Sequence, residues 1–116
     1  MNWYTVKIIY RITSGDGKHT AQFDEQLRLI SAADEQAAIE KANSIGIAEQ
    51  SDFFNEKEET VKWEFIAVTE INRLNSLEDG AELYYTIHET PDAESYTVAV
   101  RRRSDLLSCR KHLNAD

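Results

Sequence analysis

Glu82, Tyr84, Thr86 and His88 alternate along the chain, so on an extended strand they share one face. A histidine beside a carboxylate and a phenol is acid/base machinery when the groups meet. Here they do not converge: residues six apart on a strand are ~20 Å apart, so Glu82 cannot reach His88. Asp79-Gly80-Ala81-Glu82 just before them reads first as a tight turn that needs Gly80 for its backbone, and as a binding loop in the alternative. Asp79, Glu82, Tyr84 and His88 are therefore the candidate binding residues, and no catalytic set is assigned. A metal would need several ligands at about 2 Å. His19, His88 and His112 are dispersed, and no Cys-x-x-Cys or His-x-x-x-His exists, so no metal or other cofactor is expected. Cys109 has basic neighbours, Arg110 and Lys111, but does not stand at the helix start that would activate a thiol. It reads as a small residue of the C-terminal segment.

The 116 residues fit one domain, and 41% hydrophobic against 29% charged is an ordinary globular balance. A single cysteine excludes an internal disulfide and suits a reducing, cytoplasmic setting. The alternating N-terminus, MNWYTVKIIYRI, lacks the unbroken apolar run of a signal peptide, and no stretch approaches the ~18 apolar residues of a membrane span. Net charge is −8, unevenly spread: residues 101–116 carry +3 and residues 1–100 carry −11. An acidic body disfavours nucleic acid and membrane surfaces and favours cationic partners. Arg101-Arg102-Arg103, a possible phosphate binder in isolation, is expected to pair with acidic groups of the chain or of a subunit contact.

The elements that must position these groups follow from periodicity. Tyr4, Val6, Ile8, Tyr10 and Ile12 lie on one face of a strand over 3–12. Ser14-Gly15-Asp16-Gly17-Lys18 turns the chain, and a second strand runs from about Thr20 to Ser31 with Phe23, Leu27 and Leu29 on one face. Asp34 is placed to cap a helix over 34–46, extending irregularly to about Asp52, with Ala38, Ala42 and Ile45 on its buried stripe and Gly46 ending it in a left-handed conformation. Phe53 and Phe54 pin a loop or helix end to the core, and Asn55–Glu59 is an exposed turn. Thr60–Leu74, TVKWEFIAVTEINRL, is apolar on both sides and so predicts an interior strand, with Val61, Trp63, Phe65 and Ala67 opposite Ile66 and Val68. Ala81–Thr90 is expected as strand four, and 95–103, with Tyr96, Val98 and Val100 on one face, as strand five. Ser104 then caps a short tail helix over 104–116. The prediction is one α+β domain over 1–116: an antiparallel sheet of four to five strands (β-β-α-β-β-β), one main helix packed on one face, and a short C-terminal helix.

Several of these residues occur together in a known family. Trp3-Tyr4, the helix residues Ala32, Asp34, Glu35, Ala37, Lys41 and Ala42, then Phe54-Asn55, then Val61, Trp63, Phe65, Ile66 and Val68, and finally Asp79-Gly80 and Glu82 stand in a characteristic order. Over about residues 3–85 the chain resembles DUF4288, a family of short bacterial proteins of unknown function. The resemblance implies a bacterial cytosolic origin and an α+β fold, and it implies no activity and no catalytic residue.

One helix shields about two strands, because a helix is ~10 Å across and strands are ~4.8 Å apart. The far sheet face, expected to carry Ile9, Ile30, Ile66 and Val68, therefore needs a cover: a second copy in a homodimer, or the tail helix. The functional expectation is a non-enzymatic protein-interaction module that engages a basic protein, in the manner of an immunity or antitoxin protein. The alternative is a small-ligand binder or enzyme with an aromatic pocket near Tyr84 and His88.

Overall fold

The computed structural model describes residues 1–113, with side chains to Arg110. It is α+β, with strands β1 (Asn2–Ser14), β2 (Gln22–Ala32), β3 (Ser51–Phe54) and β4 (Thr60–Leu74) and helices α1 (Glu35–Ala48) and α2 (Ala93–Leu113). The chain divides into two compact units, Met1–Tyr84 and Tyr85–Asp116. The first holds a four-stranded antiparallel sheet in the order β2-β1-β4-β3, with α1 on one face.

The β1–β2 hairpin forms where alternation predicts it. Its turn needs left-handed backbone at Gly15 (φ 57°) and Gly17 (φ 79°), which an L side chain resists. Asp16 Oδ1 accepts the Lys18 amide at 3.0 Å and closes the turn. α1 starts at the expected cap: the Asp34 carboxylate accepts the Ala37 amide at 2.8 Å, and Glu35 sits in the positive first turn. Its buried stripe is Ala38, Ala42 and Gly46, small residues that bring the helix close to Tyr4, Val6, Ile8, Tyr10 and Ile30. Gly46 does not end the helix. It lies inside the last turn facing Phe65, and Glu49 is the C-cap.

β4 is interior to the sheet, but α1 covers only one of its faces, and Trp63 is half-buried. Its pairing with β1 slips twice, between Lys7 and Ile8 and between Ile9 and Tyr10, leaving Thr69 and Ile66 as extra residues. Each slip reverses the in/out alternation. Trp63 and Phe65 face α1, Ala67 pairs with Ile9 on the far face, and Val68 joins the α1-side core. The expectation of Ile30 and Val68 on the far face is thus corrected: Ile30 is 1% exposed beneath α1 and Val68 packs against the same cluster. The far face carries Trp3, Thr5, Lys7, Ile9, Phe23, Leu27 and Leu29 instead, with Lys7 between Glu25 and Glu70 at 3.5 Å each.

Two further expectations are corrected. Residues 51–54, read as the end of an irregular helix extension to about Asp52 followed by a loop or helix end, form β3 against β4, and Phe54 is 74% exposed rather than pinned to the core. Four residues are too few for periodicity to distinguish a strand from a loop. The sequence also predicts strands over 81–90 and 95–103, and neither forms. Residues 81–90 are extended without a ladder, and 93–113 is one helix of 21 residues that absorbs the described part of the tail; residues 114–116 of that predicted tail lie outside the described residues. The order is therefore β-β-α-β-β-α. Asp92 decides the second unit's structure: its carboxylate accepts the Ser95 amide at 3.0 Å and the Ser95 hydroxyl at 2.7 Å, nucleating a helix. From there Arg101–Arg103, Leu106 and Leu107 are good helix formers, and they outweigh the short alternation of Tyr96, Val98 and Val100.

Candidate functional site

β2 is amphipathic in an unusual way. The parity that buries Ile30 and Ala32 beneath α1 also turns Asp24, Gln26 and Arg28 onto that face. α1 ends at Ala48, and past it Gln26 and Arg28 line an open groove of about 330 Å³ with Tyr10, Glu49, Ser51, Phe53 and Trp63, while Asp24 is tied to the groove through Gln26 and Trp63. β4 supplies Trp63, and β3, paired beside it, lays Phe53 on its ring at 5.8 Å and 25°.

A continuous polar chain crosses the floor. The Trp63 indole N–H donates to Asp24 Oδ2 at 3.1 Å, and the Gln26 amide donates to the same oxygen at 2.6 Å. Arg28 donates to Gln26 Oε1 at 2.7 and 3.0 Å and grips the Glu49 carboxylate at 2.9 and 3.2 Å. Charge-assisted bonds of this kind fix side-chain direction as well as adding energy. The network holds the indole in one orientation, with a carboxylate at its edge. Behind it, the Tyr10 hydroxyl donates to the Gly46 carbonyl at 2.9 Å, and its ring meets Phe65 edge-on at 6.1 Å. Burial first, then the Glu49 charge, holds the Tyr10 phenol above its ordinary pKa, with Arg28 opposing. A second groove on the other side of Trp63 is lined by Gln50, Ser51, Asp52, Lys62 and Glu64. The aromatic wall has four carboxylates around it, Asp24, Glu49, Asp52 and Glu64, against two cations, Arg28, which is paired with Glu49, and Lys62, a balance that suits a cationic group better than an anionic one. It offers no nucleophile–base pair.

The residues singled out from sequence lie elsewhere. Asp79 and Gly80 (φ 86°) do form a turn, with the Ala81 amide bonded to the Glu78 carbonyl at 3.0 Å. Asp79, Glu82 and Tyr84 are exposed in the first unit. Tyr84 is the last contributor to a field on Lys7, whose ammonium is held above its ordinary pKa chiefly by Glu70, against desolvation and with help from Glu25. His88 belongs to the second unit, where its ring packs on Tyr96 at 6.0 Å and 36°. His19 is committed to the hairpin turn: Nε2 accepts the Ser14 amide at 3.0 Å and Nδ1 lies 2.8 Å from the Thr20 carbonyl. The side chain of His112 lies outside the described residues. Cys109 is exposed on α2. Among the described residues, no three His, Cys, Asp or Glu side chains gather as a metal site requires, and no helix is long and apolar enough to cross a membrane. The Asp24–Gln26–Arg28 constellation was missed from sequence. Its signal was present, since three polar residues share strand parity with Ile30 and Ala32.

Residues 3–85 match the family model described as Domain of unknown function (DUF4288). The chain belongs to the DUF4288 family. The match takes in nearly all of β1 and the whole of β2, α1, β3 and β4, and so includes every residue of the Trp63 groove. α2 lies beyond it. No curated protein and no solved structure matches the chain.

Proposed function

We propose that this DUF4288 domain is a non-enzymatic protein-interaction module whose Trp63–Phe53 wall takes a cationic side chain of a basic partner protein, as an immunity or antitoxin protein would. The observation that carries this reading is the fixed Trp63 indole, stacked on half-exposed Phe53, with Asp24 at its N–H and the grooves beside it lined by Glu49, Asp52 and Glu64 against Arg28 and Lys62. Trp is the residue type most enriched in interaction hot spots, and arginine or lysine over an aromatic face gains about 0.5–2 kcal/mol, more when desolvated. The long-range field acts in the same direction, because Met1–Tyr84 carries eight basic against sixteen acidic residues.

The test uses the indole as its own reporter. Trp3→Phe leaves Trp63 as the sole tryptophan. Titration with an arginine-rich peptide at low ionic strength is expected to shift Trp63 emission saturably. Asp24→Asn and Phe53→Ala should each weaken that response, and 0.5 M salt should suppress it. Emission that ignores the peptide, or responds equally to a glutamate-rich peptide, removes the proposal.

A second reading, a small-ligand binder or enzyme, draws on the packing of the His88 ring against Tyr96 within the second unit. Its check is whether any small ligand moves the His88 ring resonances in the full chain and loses affinity on His88→Ala.

A further inference from the structure

Each sheet edge presents unpaired backbone groups, and proteins blunt such edges with short strands, bulges, proline, lysine or covering side chains. The β4 side of this sheet uses several. β3 covers residues 60–63 only, and beyond it β4 is broken by its two bulges, while the Gln50 side chain takes the Phe65 amide at 3.0 Å. β2, at the other edge, is different. It runs 11 residues, QFDEQLRLISA, with no proline, glycine or lysine. Its register against β1 is unbroken from Asn2↔Ala32 to Ile12↔Gln22. β1 is its one strand neighbour among the described residues. At one end Lys41 Nζ donates to the Ser31 carbonyl at 3.1 Å, which closes that end and leaves 22–30 open.

We infer that the β2 edge is a homodimer interface, where two copies pair β2 antiparallel about a two-fold axis at Gln26 and join their sheets into one. A two-fold axis normal to the sheet keeps side chains on their faces, so residue i meets a residue of matching parity in the second copy. Centred on Gln26, the register sets Arg28 against the second copy's Asp24, Phe23 against its Leu29 and Leu27 against its Glu25. Gln26 meets its own equivalent on the axis, a pair of neutral side chains with no like-charge penalty. Charges meet opposite charges on the α1 side, and half-exposed apolar groups, Phe23 at 55% and Leu29 at 51%, cover each other on the far side. Moving the axis to Arg28 would oppose two arginines, and moving it to Glu25 two glutamates. The self-complementary sequence selects a second copy as the occupant. The register shares Asp24, Gln26 and Arg28 with the network behind Trp63, but the dimer is read by mass and cross-linking and the Trp63–Phe53 wall by peptide-induced emission, so either can fail without the other.

The full chain with Cys109→Ser, which removes the exposed native thiol, is examined by sedimentation velocity from 1 to 500 μM, and a concentration-dependent dimer is expected. Gln26→Cys in that background should form an intermolecular disulfide under mild oxidation, since opposed antiparallel residues have Cα atoms about 4.5–5.5 Å apart, within disulfide reach. Glu40→Cys, exposed on α1, should not. Leu27→Glu, at a half-exposed site on the far face, sets two pairs of like charges across the axis and should weaken the dimer about tenfold. Leu27→Lys should not weaken it. A chain that stays monomeric across the range overturns the inference. So does a dimer that links through Glu40→Cys, fails to link through Gln26→Cys, or ignores Leu27→Glu.

Discussion

Gly46→Ala tests how tightly α1 is seated. A Cβ built on Gly46 would stand 2.5 Å from both Cδ1 and Cε1 of Phe65 and 3.1 Å from Cζ. Carbon atoms rest at about 3.5–4.0 Å, so the ring or the helix must yield about 1 Å. The ring is not free to move: it stands edge-on to Tyr10, whose hydroxyl is bonded to the carbonyl of Gly46 itself. Overpacking of this kind costs about 1–3 kcal/mol, and alanine returns roughly 1 kcal/mol of helix propensity. The expected net loss is about 1 kcal/mol, or roughly 4–8 °C in Tm. Urea unfolding followed by tryptophan fluorescence reads the first unit, which holds both Trp3 and Trp63. The decisive measurement is the same substitution in a Phe65→Ala background. With the ring gone only the propensity gain remains, so Gly46→Ala should change sign and stabilise, a coupling of about 2 kcal/mol. Gly46→Ala that is neutral or stabilising with Phe65 in place would refute the close approach of helix and ring.

Three other outcomes are expected. Tyr10→Phe should cost about 1 kcal/mol by orphaning the Gly46 carbonyl; because the folded phenol titrates above the unfolded one, the native protein should hold this stability up to about pH 10 and lose it as pH climbs further, and urea titrations of the variant should lack that alkaline slope. Thr5→Val should stabilise by about 1 kcal/mol in thermal unfolding, since the Thr5 hydroxyl is buried with no hydrogen-bond partner among the described residues. Asp92→Ala should lower the 222 nm ellipticity at neutral pH by fraying α2. The Ser95 amide and then the Ser95 hydroxyl hold the Asp92 carboxyl below its ordinary pKa, so in the native chain this capping is present above about pH 4 and fades as pH falls, a dependence the variant should lose.

Where one physical signal dominated, the sequence was readable. The β1–β2 hairpin rests on strict alternation and two turn glycines, α1 on the Asp34 cap, and β4 on 15 residues of mostly apolar character. Competing signals produced the errors. Tyr96, Val98 and Val100 alternate like a strand, but the Asp92–Ser95 cap and the helix formers that follow act on the same segment and prevail. Gly46 has the identity of a helix terminator, yet its role is steric, and only the position of Phe65 reveals it. The β4 bulges are invisible locally, because nothing in IAVTE marks Ile66 or Thr69 as unpaired; the slip exists only relative to β1. The Trp63 groove was half legible: Trp63 stood out, whereas Asp24, Gln26 and Arg28 gain meaning from where α1 stops.

Those two unpaired residues give the longest strand spare length. Taking Ile66 out would leave Phe65 opposite Tyr10 and Ala67 opposite Ile9, and taking out Thr69 would leave Val68 opposite Ile8 and Glu70 opposite Lys7. In either case no flanking side chain changes sides. The same one-residue loss in β2, which pairs one for one, would turn over everything beyond it. Homologues that differ in length within the sheet should therefore carry their gaps at these two places, and an engineer wishing to insert or trim should begin there.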